Sequence, residues 1–312
     1  MRISILIGGE PVGVFKAPEE VVAEAVAAEE DGFDSVWCIH FSRGIDSMTM
    51  LAATAQRTSR IELGVGVVPT YPRHPVALAQ SAATVQSLSG GRFVLGVGVS
   101  HRPVIEGMHG LDYSSQIGHL REYLTVLDGL LGEGMASFAG DHYRVEAAIT
   151  VPGTSRVPVI VGALAPGMCR LGGELADGVT TWLAGPKSLE ELVLPAVTEG
   201  AEEAGKPSPR VVAGIPVAVD GDRDRAEAAA NRTFGMYGNL VNYQRLFARE
   251  GVDGPADSVI TGEARTVRSR IQALFDAGAT DVWAVPFDTG TGTGATRDLL
   301  ADLANQTQAG PQ

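Results

Sequence analysis

Cysteine is scarce in this chain. Cys38 and Cys169 are the only two, far apart and each in apolar surroundings, which favours buried thiols over a disulfide. Positive charge is also short: 24 lysines and arginines face 37 acidic residues, for a formal net charge of -13, and no basic cluster interrupts the sequence. Nucleic acids and anionic membrane surfaces need a basic patch to displace counterions, so neither is an expected partner. The six histidines, at 40, 74, 101, 109, 119 and 142, show neither the i, i+4 pair of a zinc-protease helix nor a companion cysteine pair, so no metal site is expected. No apolar run reaches the roughly 18–20 residues of a membrane-spanning helix. The start, MRISILIGGE, is a strand pattern without the length or cleavage site of a signal peptide, which leads to the expectation of a cytoplasmic protein. Low-complexity segments are missing too, and 45% apolar residues supply a large core.

What is present is an alternation of strand and helix patterns. Arg2–Ile7 reads as a first strand and Ser35–Ile39 as a second, with a helix carrying Val21, Val22, Ala25 and Val26 between them. Ile61–Val68 is nearly unbroken in β-branched residues and glycine, as a strand buried on both faces requires. Pro69, Pro72 and Pro75 then impose a stiff, irregular loop before a helix over Val76–Leu88. Arg92–Val97, Pro158–Gly162, Val179–Thr181, Arg210–Val219 and Asp281–Pro286 continue the strand series, with helices between. Residues 137–151 read as an inserted hairpin turning at Ala139–Asp141, and residues 222–262 as a second, loop-rich insertion. An internal echo supports the repeat: Gly32 followed by Ser35-Val36-Trp37 recurs as Gly278 followed by Asp281-Val282-Trp283. Eight strands in regular alternation predict a single (β/α)8 TIM barrel, a fold in which about 250 residues or more form one unit.

Such a barrel gathers the residues just past its strand ends on one face. His40 follows the second strand, the Val68–His74 loop the third and His101 the fourth. The fifth ends in GALAPG, where the amides of residues 162–167 form a glycine-rich loop and helix start suited to an anion. Gly96 and Gly98 lack the third glycine of a dinucleotide fingerprint, which sets a nicotinamide dehydrogenase low.

The segments GFDSVW, ELGVGVVPTYPRHPVALAQ, SGGRFVLGVGVSH with HLREYL, VPVIVGA with ELADG, and REGVDGPAD resemble, in order and spacing, the luciferase-like coenzyme F420-dependent oxidoreductases. The resemblance implies a (β/α)8 barrel, usually a homodimer, that binds a deazaflavin or flavin at the strand ends and moves hydride between its ring and a small-molecule substrate. It places His40 near the reactive end of the ring, and Val68 and Pro69 behind the ring as an irregular bulge whose cis bond would be an ordinary prolyl one. Gly98, Ser100 and His101 would lie along the ring and side chain, and Gly162, Ala163, Leu164 and Gly167 would give amides to its phosphate; for Arg73 a cofactor contact and a surface ion pair are equal readings. Ile39 stands where many relatives have Asp, and His101 where several have Glu. A histidine, with an ordinary pKa of about 6.5, suits a proton donor near neutral pH, so His40 or His101 is the expected catalyst. Coenzyme F420 is the expected cofactor, with FMN and a two-component monooxygenase as the alternative, and a non-catalytic flavin-binding barrel as a third reading. Phe41, Tyr113, Phe234, Tyr237 and Tyr243, in the loops expected to wall the pocket, point to an apolar or planar substrate.

Overall fold

The computed structural model describes residues 1–9 and 15–308. Its strands are β1 (Arg2–Ile7), β2 (Ser35–Cys38), β3 (Glu62–Val65), β4 (Val68–Pro69), β5 (Phe93–Gly98), β6 (Met135–Ala139), β7 (Arg144–Ala148), β8 (Val159–Gly162), β9 (Gly178–Trp182), β10 (Arg210–Val219), β11 (Ile260–Gly262) and β12 (Asp281–Pro286). Eight of them pair in parallel, in the order β1, β2, β3, β5, β8, β9, β10, β12, and β12 returns to β1, so the sheet closes on itself. This is the expected (β/α)8 barrel. Helices cover its outside, which is why Ile3, Ile5 and Ile7 are as buried as residues facing inward.

The barrel interior is filled in layers. At the end where the strands begin, Arg210 forks onto both carboxylate oxygens of Asp281 (2.9 and 2.5 Å) and onto Glu62 (2.7 Å). Arg2 adds a second cation 3.2 Å from Glu62. Burial works against the Arg210 charge, but these two carboxylates hold its pKa above the ordinary arginine value. Above this plug, Ser4 and Ser35 share a 2.5 Å hydrogen bond and Trp37 donates to Ser35 (3.1 Å). The central layer is tryptophan: the Trp283 ring centroid lies 5.8 Å from that of Trp37 and 5.6 Å from that of Trp182. Glycines make room for these rings, since a Cβ on Gly64 would lie 2.6 Å from Trp37 and one on Gly214 2.0 Å from Trp283.

The repeated Gly-x-x-[SD]-Val-Trp signature is therefore structural. Gly32 and Gly278 both adopt positive φ (89° and 99°), which a side chain disfavours, and their tryptophans meet in the barrel centre.

The hairpin forms a separate two-stranded antiparallel sheet, β6 with β7. Ala139 pairs with Arg144, so the turn lies one to two residues later than expected. The 222–262 segment contains the helices Arg223–Phe234, Val241–Glu250 and Pro255–Ser258, then returns to the sheet as β11 beside the end of β10. The third strand departs most from the sequence reading. The run predicted as Ile61–Val68 breaks into β3 and β4, and the cis peptide bond joins Gly66 to Val67, not Val68 to Pro69. Val68 and Pro69 are fully enclosed, whereas Gly66 and Val67 retain partial exposure at the barrel mouth. The cause lies on the two neighbouring strands, β5 and β8. Glycines at 96, 98 and 162 leave a hollow that the Val67 side chain fills, with its methyls 2.8 Å from a Cβ placed on Gly98 and 3.2 Å from one on Gly162.

Candidate active site at the carboxyl ends of the strands

Past β2, His40 sits half-buried, its Nδ1 2.8 Å from the Ser47 hydroxyl. Ser47 opens the helix Ser47–Ala55, which Asp46 caps by accepting from the Thr49 amide (2.9 Å) and hydroxyl (3.1 Å). The same carboxylate pairs with Arg73 from the loop after β4. Of the two readings of Arg73, the structure shows the ion pair, half-buried beside His40. Burial, and then the Arg73 charge, push the His40 pKa down to about 4, against a smaller opposing pull from Asp46. The imidazole is thus neutral near neutral pH, a change from the ordinary value assumed in the sequence reading. His109 ties the same loop from the other side through a 3.0 Å contact with Ser42.

The floor of the mouth is glycine-lined. Pro69 pairs with Gly98, and the Thr70 amide donates to the Gly98 carbonyl (3.0 Å). Ser100 takes a positive φ of 61°, and its carbonyl accepts from the Tyr113 hydroxyl (2.7 Å). His101 heads a short helical turn, and burial lowers its pKa. The side chain on this floor belongs to Val67, whereas Val68 is packed into the core between strand and helices. The expectation that the bulge falls at Val68 and Pro69 is corrected by two residues, to Gly66 and Val67.

After β8, the Ala163 amide donates to the Thr180 carbonyl (3.0 Å), so it is not free for an anion. The amides of Leu164, Ala165 and Gly167 find no protein acceptor among the described residues. They lie at the start of the helix Pro166–Leu175, where unpaired donors and the helix dipole favour negative charge. A planar group on the Val67, Gly98 and Gly162 floor with an anionic arm toward these amides fits the residues present. Among the described residues there is no group of three or more metal-ligating side chains, and no described helix is long and apolar enough to cross a membrane.

The sequence reading missed how the rings join. Trp182 lies 6.1 Å from Tyr237, Tyr237 lies 4.8 Å from Tyr243, and Tyr243 lies 6.2 Å from His101, centroid to centroid. The 235–243 segment thereby bridges β9 and the loop after β5 as an aromatic wall. A second ring cluster backs the β4 loop: buried His119 stacks on Tyr71 (3.8 Å) and meets the Thr70 hydroxyl at 2.9 Å.

Comparison with known proteins matches the fold. A curated F420-dependent glucose-6-phosphate dehydrogenase of Nakamurella multipartita is 34% identical over 230 residues, 70% of this chain and 68% of that protein. The 5,10-methylenetetrahydromethanopterin reductase of Methanolobus tindarius is 28% identical over 76% of this chain and 73% of its own length. Among solved structures, the coenzyme F420-dependent tetrahydromethanopterin reductase of Methanopyrus kandleri superposes with a TM-score of 0.80 at 24% identity, over 96% of this chain and 98% of that one. The FMN-bound oxygenating constituent of 3,6-diketocamphane monooxygenase from Pseudomonas putida gives 0.75 at 17% identity, over 100% and 99%; at these identities the two structures speak to fold. The family profile described as luciferase-like monooxygenase matches residues 1–281, and the chain belongs to that family.

Proposed function

We propose that this chain is a coenzyme F420-dependent oxidoreductase that moves hydride between the deazaflavin and a small organic substrate. The observation that carries the reading is the glycine floor of Gly98 and Gly162 under Val67, set between His40 on one side and the acceptor-free amides after β8 on the other. The curated relatives named as F420-dependent enzymes support the deazaflavin over FMN. When bound, the deazaflavin supplies the two-electron chemistry, and the protein supplies position and exclusion of water. In this reading Val67, Gly98 and Ser100 bear on the ring, while Leu164 and Gly167 give amides to the phosphate. His40 stands against the reacting oxygen, ahead of His101, because it has a fixed hydrogen-bond partner and an ion pair beside it.

The aromatic wall of Trp182, Tyr237 and Tyr243 supports an apolar or planar substrate. In this reading the chain works as a homodimer, which its solution mass tests. The function itself is tested by titrating the purified protein with coenzyme F420 and separately with FMN, following the fluorescence of each. Micromolar or tighter binding of F420 alone is expected. Tight binding of FMN alone would replace the reading with the monooxygenase one, and binding of neither would remove it.

A further inference from the structure

The Ser47 hydroxyl is the hydrogen-bond partner of one of the two ring nitrogens of His40. Ser47 is 0% exposed and its Oγ lies 2.8 Å from His40 Nδ1. Among the described residues that hydroxyl has no other hydrogen-bond partner. A buried hydroxyl must place its proton on an acceptor or forfeit the hydration it gave up. The available acceptor is Nδ1. With a proton on Nδ1 the ring would donate to the Ser47 oxygen, and the buried hydroxyl proton would be left without an acceptor. With Nδ1 accepting, the ring carries its single proton on Nε2.

We propose that Ser47 is a positioning residue that holds His40 in the Nε2–H tautomer, so that a neutral imidazole offers one hydrogen-bond donor to the oxygen of the substrate. This rests on the proposed function for the identity of that oxygen, but the tautomer itself does not. The charged and titratable groups that bear on His40 are Arg73, Asp46 and His109. Arg73 and burial oppose an imidazolium. Asp46, which would favour one, is already committed to Arg73 and to the Thr49 amide. The helix cap thus has two duties: it fixes the start of the helix and thereby sets the Ser47 hydroxyl against the ring. His40 then polarises the substrate oxygen as a fixed neutral donor, a role in which the wrong tautomer is as damaging as a missing side chain.

The test uses the full chain with 15N-labelled histidine, comparing wild type with Ser47→Ala and Ser47→Thr. In wild type, long-range proton–nitrogen spectra should show His40 protonated on Nε2 and unchanged from pH 8 to about pH 5. Ser47→Ala should shift the ring toward the Nδ1–H form and lower kcat about tenfold to a hundredfold, with F420 affinity within about twofold. Ser47→Thr, which keeps the hydroxyl, should restore both. An Nδ1–H ring in wild type, or an Nε2–H ring and full kcat in Ser47→Ala, overturns the proposal. The spectra need no cofactor, so an Nε2–H ring in a protein that fails to bind F420 would count against the proposed function and leave this inference standing.

Discussion

Replacing Arg210 by Met tests whether the charged plug at the bottom of the barrel is an obligate unit. The Arg210 side chain is 19% exposed and the Asp281 side chain 1%. Removing the cation strands a carboxylate that has no access to solvent. Breaking a buried pair by deleting one partner costs about 3–5 kcal/mol. Here the lower end applies, because Arg2 stands 3.6 Å from Asp281 and the Thr280 hydroxyl donates to it at 2.6 Å. The expected loss is therefore about 3 kcal/mol, or roughly 6–12 °C in Tm for a domain of this size. Urea unfolding at pH 7 gives the value directly, provided the denaturant slope is unchanged. The double variant Arg210→Met with Asp281→Asn should recover much of the loss, since it removes the stranded charge as well as the cation. A loss below about 1 kcal/mol, as for an exposed pair, or no recovery in the double variant, would refute the argument.

Other expectations concern the mouth. In Gly98→Ala the new Cβ would lie 2.8 Å from a Val67 methyl, a side chain able to swing toward the pocket; F420 affinity should fall about tenfold by calorimetry, and adding Val67→Ala should restore it. In Gly96→Ala the Cβ would lie 1.9 Å from the Val65 carbonyl oxygen, which is backbone, so that variant should lose about 3 kcal/mol or more, or fail to accumulate as folded protein. His40→Asn should cost about a hundredfold in kcat or more with F420 binding retained, and a loss below about threefold would remove His40 from the reaction. His119 is 4% exposed, and burial first, then His142, push its pKa down to about 4 from 6.5. Between those values the unfolded chain takes a proton that the folded one refuses. Stability is thus full above about pH 6.5 and declines by up to about 3 kcal/mol as pH falls to 4. His119→Gln should flatten this acid limb of the urea midpoint; an unaltered limb would assign it elsewhere.

The barrel could be read from the sequence because alternation is a local signal. Val36 and Val282 each lie four residues after a glycine and just before a tryptophan, and both prove to be strand positions beside β1, with the two tryptophans meeting inside the barrel. The bulge after β3 was misplaced because three prolines dominate local reasoning there, whereas the residue that leaves the ladder is chosen by the hollow over Gly98 and Gly162, on two other strands. Arg210 and Glu62 are 148 residues apart, and nothing near either one in sequence announces the other. Ser47 had a local signal, a helix start after Asp46, but a serine there reads as capping, and only the fold shows His40 at its hydroxyl. An ion pair was one of two readings of Arg73, but its partner, Asp46, comes from a different loop and could not be named from sequence.

The protein has three tryptophans, and all of them stand in the central layer of the barrel, linked through Trp283. Intrinsic emission from this chain therefore originates at one place, directly below the mouth. A ring seated on the Val67 floor would lie next to these tryptophans and change that emission. The protein carries its own optical gauge of pocket occupancy, without a label. The same rings make emission a report on barrel closure, while the outer helices and the β6–β7 hairpin remain dark to it.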